Sequence, residues 1–291
     1  MTPVSHGKPC AGNPHARFEE GASAPEKPRR NALLHKDRIQ NALKKIEAEN
    51  DCRFLFAVES GSRAWGFASP DSDYDIRAVY VKPLDWYLGL EEWKADTLNA
   101  MLPGDLDIAA WDLRKALRHL LKSNASFMEW LGSPIVYFDD GLIARLNELK
   151  DACTNSVHVA FHYASMFSHA MKDRAEDGTI SVKKLCYALR ASLCVRWTME
   201  HETMPPTAFG AVREGVSLSS TERDAIDALL AVKADAKEKD RILPCPALAP
   251  LLVDPAPEIK SFTWRRVPAP AQALPALELL FRTYCARITN H

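Results

Sequence analysis

No apolar run in these 291 residues approaches the ~20 residues that a membrane-spanning helix needs, and the N-terminus carries no apolar secretory segment. A soluble, cytoplasmic chain is therefore expected. Paired cysteines are also missing. The seven cysteines (Cys10, Cys52, Cys153, Cys186, Cys194, Cys245, Cys285) are scattered and odd in number, without a Cys-x-x-Cys pair. That pattern suits reduced thiols better than a disulfide framework or a zinc site. A net charge of −1 supplies no global attraction to nucleic acid, so any such binding needs a local basic patch. Gly61 to Gly66 is not followed by Lys-Ser or Lys-Thr, which argues against a P-loop ATPase. There is no His-Glu-x-x-His either, and His158, His162 and His169 read as packing or surface histidines. No internal repeat is present. What remains is an ordinary globular balance, 47% apolar and 26% charged, in a chain long enough for one large core or two modest ones.

One stretch organises the rest. The apolar run Phe54–Val58 reads as a buried strand and ends in Gly61-Ser62. After a polar connector, Ser72-Asp73-Tyr74-Asp75-Ile76 leads into Ala78–Val81, a second β-rich run. Side chains alternate along a strand, so Asp73 and Asp75 are expected on one face. Two such carboxylates repel unless a cation lies between them, and hard oxygen ligands suit Mg²⁺ or Mn²⁺. Gly61 lets the backbone approach an anion closely, and Ser62 adds a hydroxyl that either caps a following helix or meets a phosphate. Arg63 has two readings, a phosphate ligand or a partner for a neighbouring acid.

Residues 1–30 lack an apolar period and read as a disordered tail. Residues 31–49 follow a helical period with Asn31 as a cap. Residues 96–111 look like a hairpin turning at Pro103-Gly104. Asp107 stands out there, because it lies between Leu106 and Ile108 where an unpaired charge is costly. Asp112 caps a helix over 113–122 whose Arg114, Lys115, Arg118 and Lys122 form a basic side. That side either guides a nucleic-acid strand or, lacking interleaved aromatics, simply faces solvent. From Gly141 the period is helical, roughly over 141–152, 155–174, 180–201, 219–237 and 271–288. Lys183, Tyr187 and Arg190 share one helix face, either solvated or turned toward a triphosphate.

Gly61-Ser62, a spacer, then Asp73-Tyr74-Asp75-Ile76 resembles the signature of the DNA polymerase beta-like nucleotidyltransferase superfamily. More narrowly, Glu59–Gly66 with Ser72–Arg77 is similar to nucleotidyltransferases of bacteria and phages, including an RNA-ligase-associated group. The likeness runs on through Trp111–Lys115, Ser123-Asn124, Glu129–Leu131 and Tyr187–Arg190. It implies an α/β (α+β) fold: a small mixed β-sheet nucleotidyltransferase domain flanked by helices over 31–138, then a helical C-terminal domain over 139–291. It also implies a third carboxylate on a neighbouring strand, taken here as Asp107. Asp73, Asp75 and Asp107 would then be the catalytic, metal-holding set for Mg²⁺ or Mn²⁺. Gly61, Ser62, Arg63, Ser72, Lys183 and Arg190 would contact the NTP. The expected reaction moves a nucleoside monophosphate from an NTP to an acceptor hydroxyl and releases pyrophosphate. An RNA end, handled with an RNA ligase partner, is one acceptor; a protein hydroxyl or a small antibiotic-like molecule is another. Two other classes stand beside it: a catalytically silent nucleotide- or nucleic-acid-binding module on the same fold, and an interaction protein acting through its helical half.

Overall fold

The computed structural model describes residues 26–288 apart from 70–71, 91–94, 104, 238 and 267, and gives no side-chain detail for 26–35. The expected tail therefore lies, up to residue 25, outside the described residues. Helix α1 (Glu26–Asn50) begins ahead of the expected Asn31 cap. Contacts divide the chain at Arg38, and everything from Ile39 onward belongs to one unit.

Five strands form a mixed sheet in the order β3-β4-β2-β1-β5. They are β1 (Arg53–Glu59), β2 (Tyr74–Val81), β3 (Thr97–Leu102), β4 (Leu106–Asp112) and β5 (Val136–Asp139). Strands β2 and β4 run parallel, with Asp75 beside Asp107, and the other pairs are antiparallel. The run expected around Asp107 is thus a strand, reached by a turn in which Asp105 takes φ +59. Gly104 lies outside the described residues. Strand β1 is buried on both faces, as its unbroken apolar run requires. One sheet face, with Ile76, Ala78, Tyr80, Leu106, Ile108 and Ala110, packs on Ile39 and Leu43 of α1. The opposite face contributes Val58, Val79 and Val81 to the larger core.

Short helices α2 (Gly61–Trp65) and α3 (Leu84–Leu88) punctuate the sheet, and α4 (Leu113–Leu121) and α5 (Ala125–Leu131) follow β4. Asp112 and Asn124 cap these last two by accepting from Arg114 N and Phe127 N, each at 2.9 Å. Then come α6 (Leu142–Cys153), α7 (Ser156–Met171), α8 (Val182–His201), α9 (Phe209–Glu214), α10 (Ser220–Asp235), a 3₁₀ turn (Pro246–Leu251), α11 (Ala256–Ser261) and α12 (Pro270–Ile288). The two-residue strands β6 (Ile180–Ser181) and β7 (Arg241–Ile242) pair with each other. The expected boundary near 139 falls between β5 and α6, and buried side chains from both sides of it join one cluster.

Helix α8 is the axis of the helical half, and Arg190 is its most telling residue. Its guanidinium, 1% exposed, pairs with Glu129 Oε1 at 2.9 Å and lies 4.3 Å from the Trp65 ring centroid. Glu129 in turn accepts from Trp65 Nε1 at 3.1 Å and Tyr163 OH at 2.6 Å. A desolvated charge with this many partners is costly to orphan. Arg190→Met should lower stability by about 3–5 kcal/mol in urea unfolding, because Glu129 keeps its charge and loses its counterion. A loss below about 1 kcal/mol would contradict the pairing.

Candidate active site

The site is built where β1 ends and β2 begins. Ser60 N donates to the carbonyl of Asp75 at 2.8 Å, so the antiparallel ladder continues to the last residue before the turn. Gly61 then takes φ +61, a conformation that side chains resist. A Cβ at Gly61 would lie 2.2 Å from Asp75 Oδ2, so glycine is demanded a second time, by the carboxylate pressed against it. Glu59 fixes this arrangement from beneath: fully buried, it accepts from Asp75 N at 2.8 Å and from the Tyr137 hydroxyl. Burial raises the Glu59 carboxyl, while those two donors hold it back.

A polar cleft opens over this junction. The hydroxyls of Ser62, Ser69 and Ser72, the carboxylates of Asp73 and Asp75, the ammonium groups of Lys183 and Lys233 and the Tyr187 ring line it. Five of the expected site residues, Ser62, Ser72, Asp73, Asp75 and Lys183, line one hollow, and Gly61 lies against Asp75. Arg63 is adjacent but engaged with backbone. It donates to the carbonyls of Asp73 at 3.0 Å and Ser72 at 2.6 Å and stacks 3.8 Å from the Tyr74 ring centroid, fastening the loop before β2 to α2. Arg190 is a correction. It faces Trp65 and Glu129 in the interior and takes no part in the cleft lining.

The acids are arranged in two pairs. Asp73, exposed just before β2, shares the cleft with Asp75. Asp75 and Asp107 are register neighbours, and one nitrogen of Arg77 donates to both, at 2.9 and 2.8 Å. Among the described residues, no three His, Cys, Asp or Glu side chains are gathered as a metal-ligand set. Arg77 occupies the place between two of the acids. Two residues along the strand from Asp75, it projects from the same face and stands as the cation between Asp75 and Asp107. Burial pushes the Asp75 carboxyl above its usual range; Arg77 pulls it back, and Asp107 and Asp73 add to the rise. Asp73 and Asp75 are hard oxygen donors of the type Mg²⁺ or Mn²⁺ takes. Asp107 is held by Arg77.

Two important residues lay outside the sequence expectations. Arg77 was visible as a charge at strand spacing from Asp75. Lys233, on α10, is 5% exposed and donates to Ser69 Oγ at 2.7 Å, while Ser69 and Ser72 hydroxyls lie 3.1 Å apart. Its signal was a lysine on the same buried stripe as Ile226 and Leu229.

Residues 35–263 match the RNA repair pathway DNA polymerase beta family. The chain belongs to that family. A relative from Bacillus subtilis, the uncharacterized protein YcgL, is 36% identical over 206 residues, covering 70% of this chain and 79% of its own length. The uncharacterized protein MJ0002 of Methanocaldococcus jannaschii is 29% identical over 142 residues, covering 47% of this chain and 56% of that protein. A nucleotidyltransferase-like protein from Exiguobacterium sibiricum 255-15 aligns with TM-score 0.29 and 11% identity, over 86% of this chain and 75% of that one. In this member of the RNA repair pathway DNA polymerase beta family, Gly61-Ser62 and Asp73-Tyr74-Asp75 lie within the matched range. No helix of the described residues is long and apolar enough to cross a membrane.

Asp75 yields a stability prediction. Its carboxyl is raised in the folded state, so the native protein holds more protons than the unfolded chain between the ordinary and the raised value. Stability contributed at this site is therefore lost as pH rises through that window. Asp75→Asn removes the loss, so the melting temperature of the variant relative to wild type should climb across the window and level off above it. A difference that is flat, or that falls with rising pH, would contradict the burial argument.

Proposed function

We propose that the protein is a metal-dependent nucleotidyltransferase that moves a nucleoside monophosphate from an NTP to the hydroxyl of an RNA end, releasing pyrophosphate. The observation that carries this reading is the composition of the cleft beside the Gly61 turn: two carboxylates, two lysines and three serine hydroxyls line one hollow. Such a hollow matches a triphosphate whose phosphates need cations and donors and whose α-phosphorus needs to sit beside carboxylates. The family's description names RNA repair, which supports an RNA acceptor.

In this reading Lys183, Lys233 and the hydroxyls of Ser62, Ser69 and Ser72 take the β- and γ-phosphates. Gly61 keeps the backbone out of the way of Asp75. The acceptor oxygen attacks the α-phosphorus, a new P–O bond forms, the bond to the bridging oxygen of pyrophosphate breaks, and the hydroxyl proton passes to Asp107. Asp73 and Asp75 would hold Mg²⁺ or Mn²⁺, and such an ion would supply charge neutralisation at the phosphates and a more acidic acceptor hydroxyl. Most of the rate then comes from positioning and charge, with little covalent work left to side chains. A second reading, a nucleotide-binding module without turnover, is favoured by one observation: Arg77 already supplies the cation between Asp75 and Asp107.

Incubation with each labelled NTP, Mg²⁺ or Mn²⁺ and RNA discriminates the two. Label should transfer to RNA and the transfer should vanish in Asp75→Asn. NTP binding without transfer under any metal would favour the silent module. Lys233→Ala should raise KM for the NTP about tenfold or more, the equivalent of ~1.4 kcal/mol for a lost charged contact. An unchanged KM would remove Lys233 from the nucleotide site.

A further inference from the structure

The sheet face that carries Asp75 and Asp107 does not close over beyond the cleft. Along β4 burial alternates strictly: Asp107, Ala109 and Trp111 are half-buried, while Leu106, Ile108, Ala110 and Asp112 are buried. On edge strand β3 the partners across the ladder are Met101 opposite Asp107, Asn99 opposite Ala109 and Thr97 opposite Trp111. Opposed residues share a face, and here Met101 is 73% exposed and Asn99 is exposed as well. The result is a partly open strip two strands wide, floored by Ala109 and bordered on β2 by Arg77, the register neighbour of Ala109. It runs from Asp107 to Trp111 over about 13 Å, the rise of about four stacked nucleotides.

At its far end the strip meets α4. Lys115 Nζ donates to Thr97 Oγ1 at 2.6 Å and to Asp96 at 2.7 Å, which puts this lysine on the same face as Asp107. The same ammonium lies 5.6 Å from the Trp111 ring centroid, and His119 stacks on Trp111 at 4.5 Å and 30°. A hollow beside them carries Arg114, Lys115, Arg118 and Lys122 against two carboxylates, Asp96 and Asp112. The helix offers cations and the His119 ring; β4 adds the half-buried Trp111, which is itself backed by Trp130 at 4.3 Å, so the aromatic surface a base needs lies beside the cations. In a chain of net charge −1, this local excess is the kind of patch a polyanion requires.

We propose that this strip is the acceptor track: a single-stranded nucleic acid lies over Ala109 between Met101 and Trp111. Its phosphates meet Lys115 and Lys122, a base packs on the Trp111–His119 stack, and its terminal hydroxyl reaches Asp107. The proposal rests on the nucleotidyltransferase reading for the direction of the strand end, but binding itself is separable from turnover.

Fluorescence anisotropy with a labelled single-stranded RNA 12-mer, followed against salt, tests it. Lys122→Ala should weaken binding several-fold at low salt and reduce the slope of log K against log salt by about 0.7. The Lys115→Ala/Lys122→Ala double variant should reduce it by about 1.4. Lys122→Glu, which leaves the Lys115–Asp96 pair intact, should weaken binding further still. Lys45→Ala is the control, on a 75% exposed side chain of α1, which packs on the other sheet face; it should change nothing. Unaltered slopes in the Lys115 and Lys122 variants, or an equal loss in Lys45→Ala, would overturn the track. A DNA 12-mer of the same sequence tells whether the sugar is read, and binding of either supports the track. RNA binding that survives in Asp75→Asn while label transfer is lost keeps the two proposals distinct. Transfer to a protein or small-molecule acceptor, with no oligonucleotide binding, would overturn the track and leave the nucleotidyltransferase reading standing.

Discussion

The close approach of the Asp75 carboxylate to Gly61 is the contact on which the rest of the site depends. Only a residue without a Cβ, in a left-handed conformation, leaves room for Asp75 Oδ2 beside the turn. Glu59 makes the approach permanent by binding the Asp75 backbone N–H and the Tyr137 hydroxyl from below the turn. The sheet side of the cleft is positioned from that junction. Ser62 follows directly on one side, and Asp73 and Ser72 precede Asp75 on the other, tied back by Arg63. The electrostatic cost of the junction is visible in Asp75 itself, whose carboxyl is raised by burial and crowded by two acids.

The helical half answers this with cations and with mass. Lys183 and Lys233 come from α8 and α10 to the cleft lining, and Lys233 donates to the Ser69 hydroxyl in the loop before β2. Behind them Trp65, on the short helix that starts at Gly61, is packed edge-on against Tyr187 and roofed by the Arg190 guanidinium. The buried Glu129–Arg190 pair thus ties the turn, through Trp65, to the centre of α8 and to Tyr163 on α7. A shift of the helices against the sheet would be felt at Trp65, and therefore at the Gly61 turn. The cleft is accordingly a joint product of the sheet and the helices.

Much of this was legible in the chain. Strands β1 and β2 announce themselves as apolar, β-branched and aromatic runs, and the hairpin of β3 and β4 is marked by its turn residues. Asp107 was recoverable because a charge between Leu106 and Ile108 has to be answered for, and Arg77 answers it. Arg190 was misread for a geometric reason. It shares a helix stripe with Lys183 and Tyr187, but seven residues carry it about 10 Å further along α8, past the cleft and into the interior. Lys233 was invisible as a site residue because its partner Ser69 lies 164 residues away in the chain, and no local pattern encodes that meeting. The basic side of α4 was read without aromatic company, since the ring that stacks on His119 belongs to the preceding strand.

The most direct test of the site is anomalous diffraction at the manganese edge from crystals grown with Mn²⁺ and a non-hydrolysable NTP analogue. The expected result is an anomalous peak within bonding distance of Asp73 and Asp75, with the triphosphate running from there toward Lys183 and Lys233. A manganese peak remote from Asp75, or a triphosphate bound outside the cleft while Arg77 still bridges Asp75 and Asp107, would contradict it.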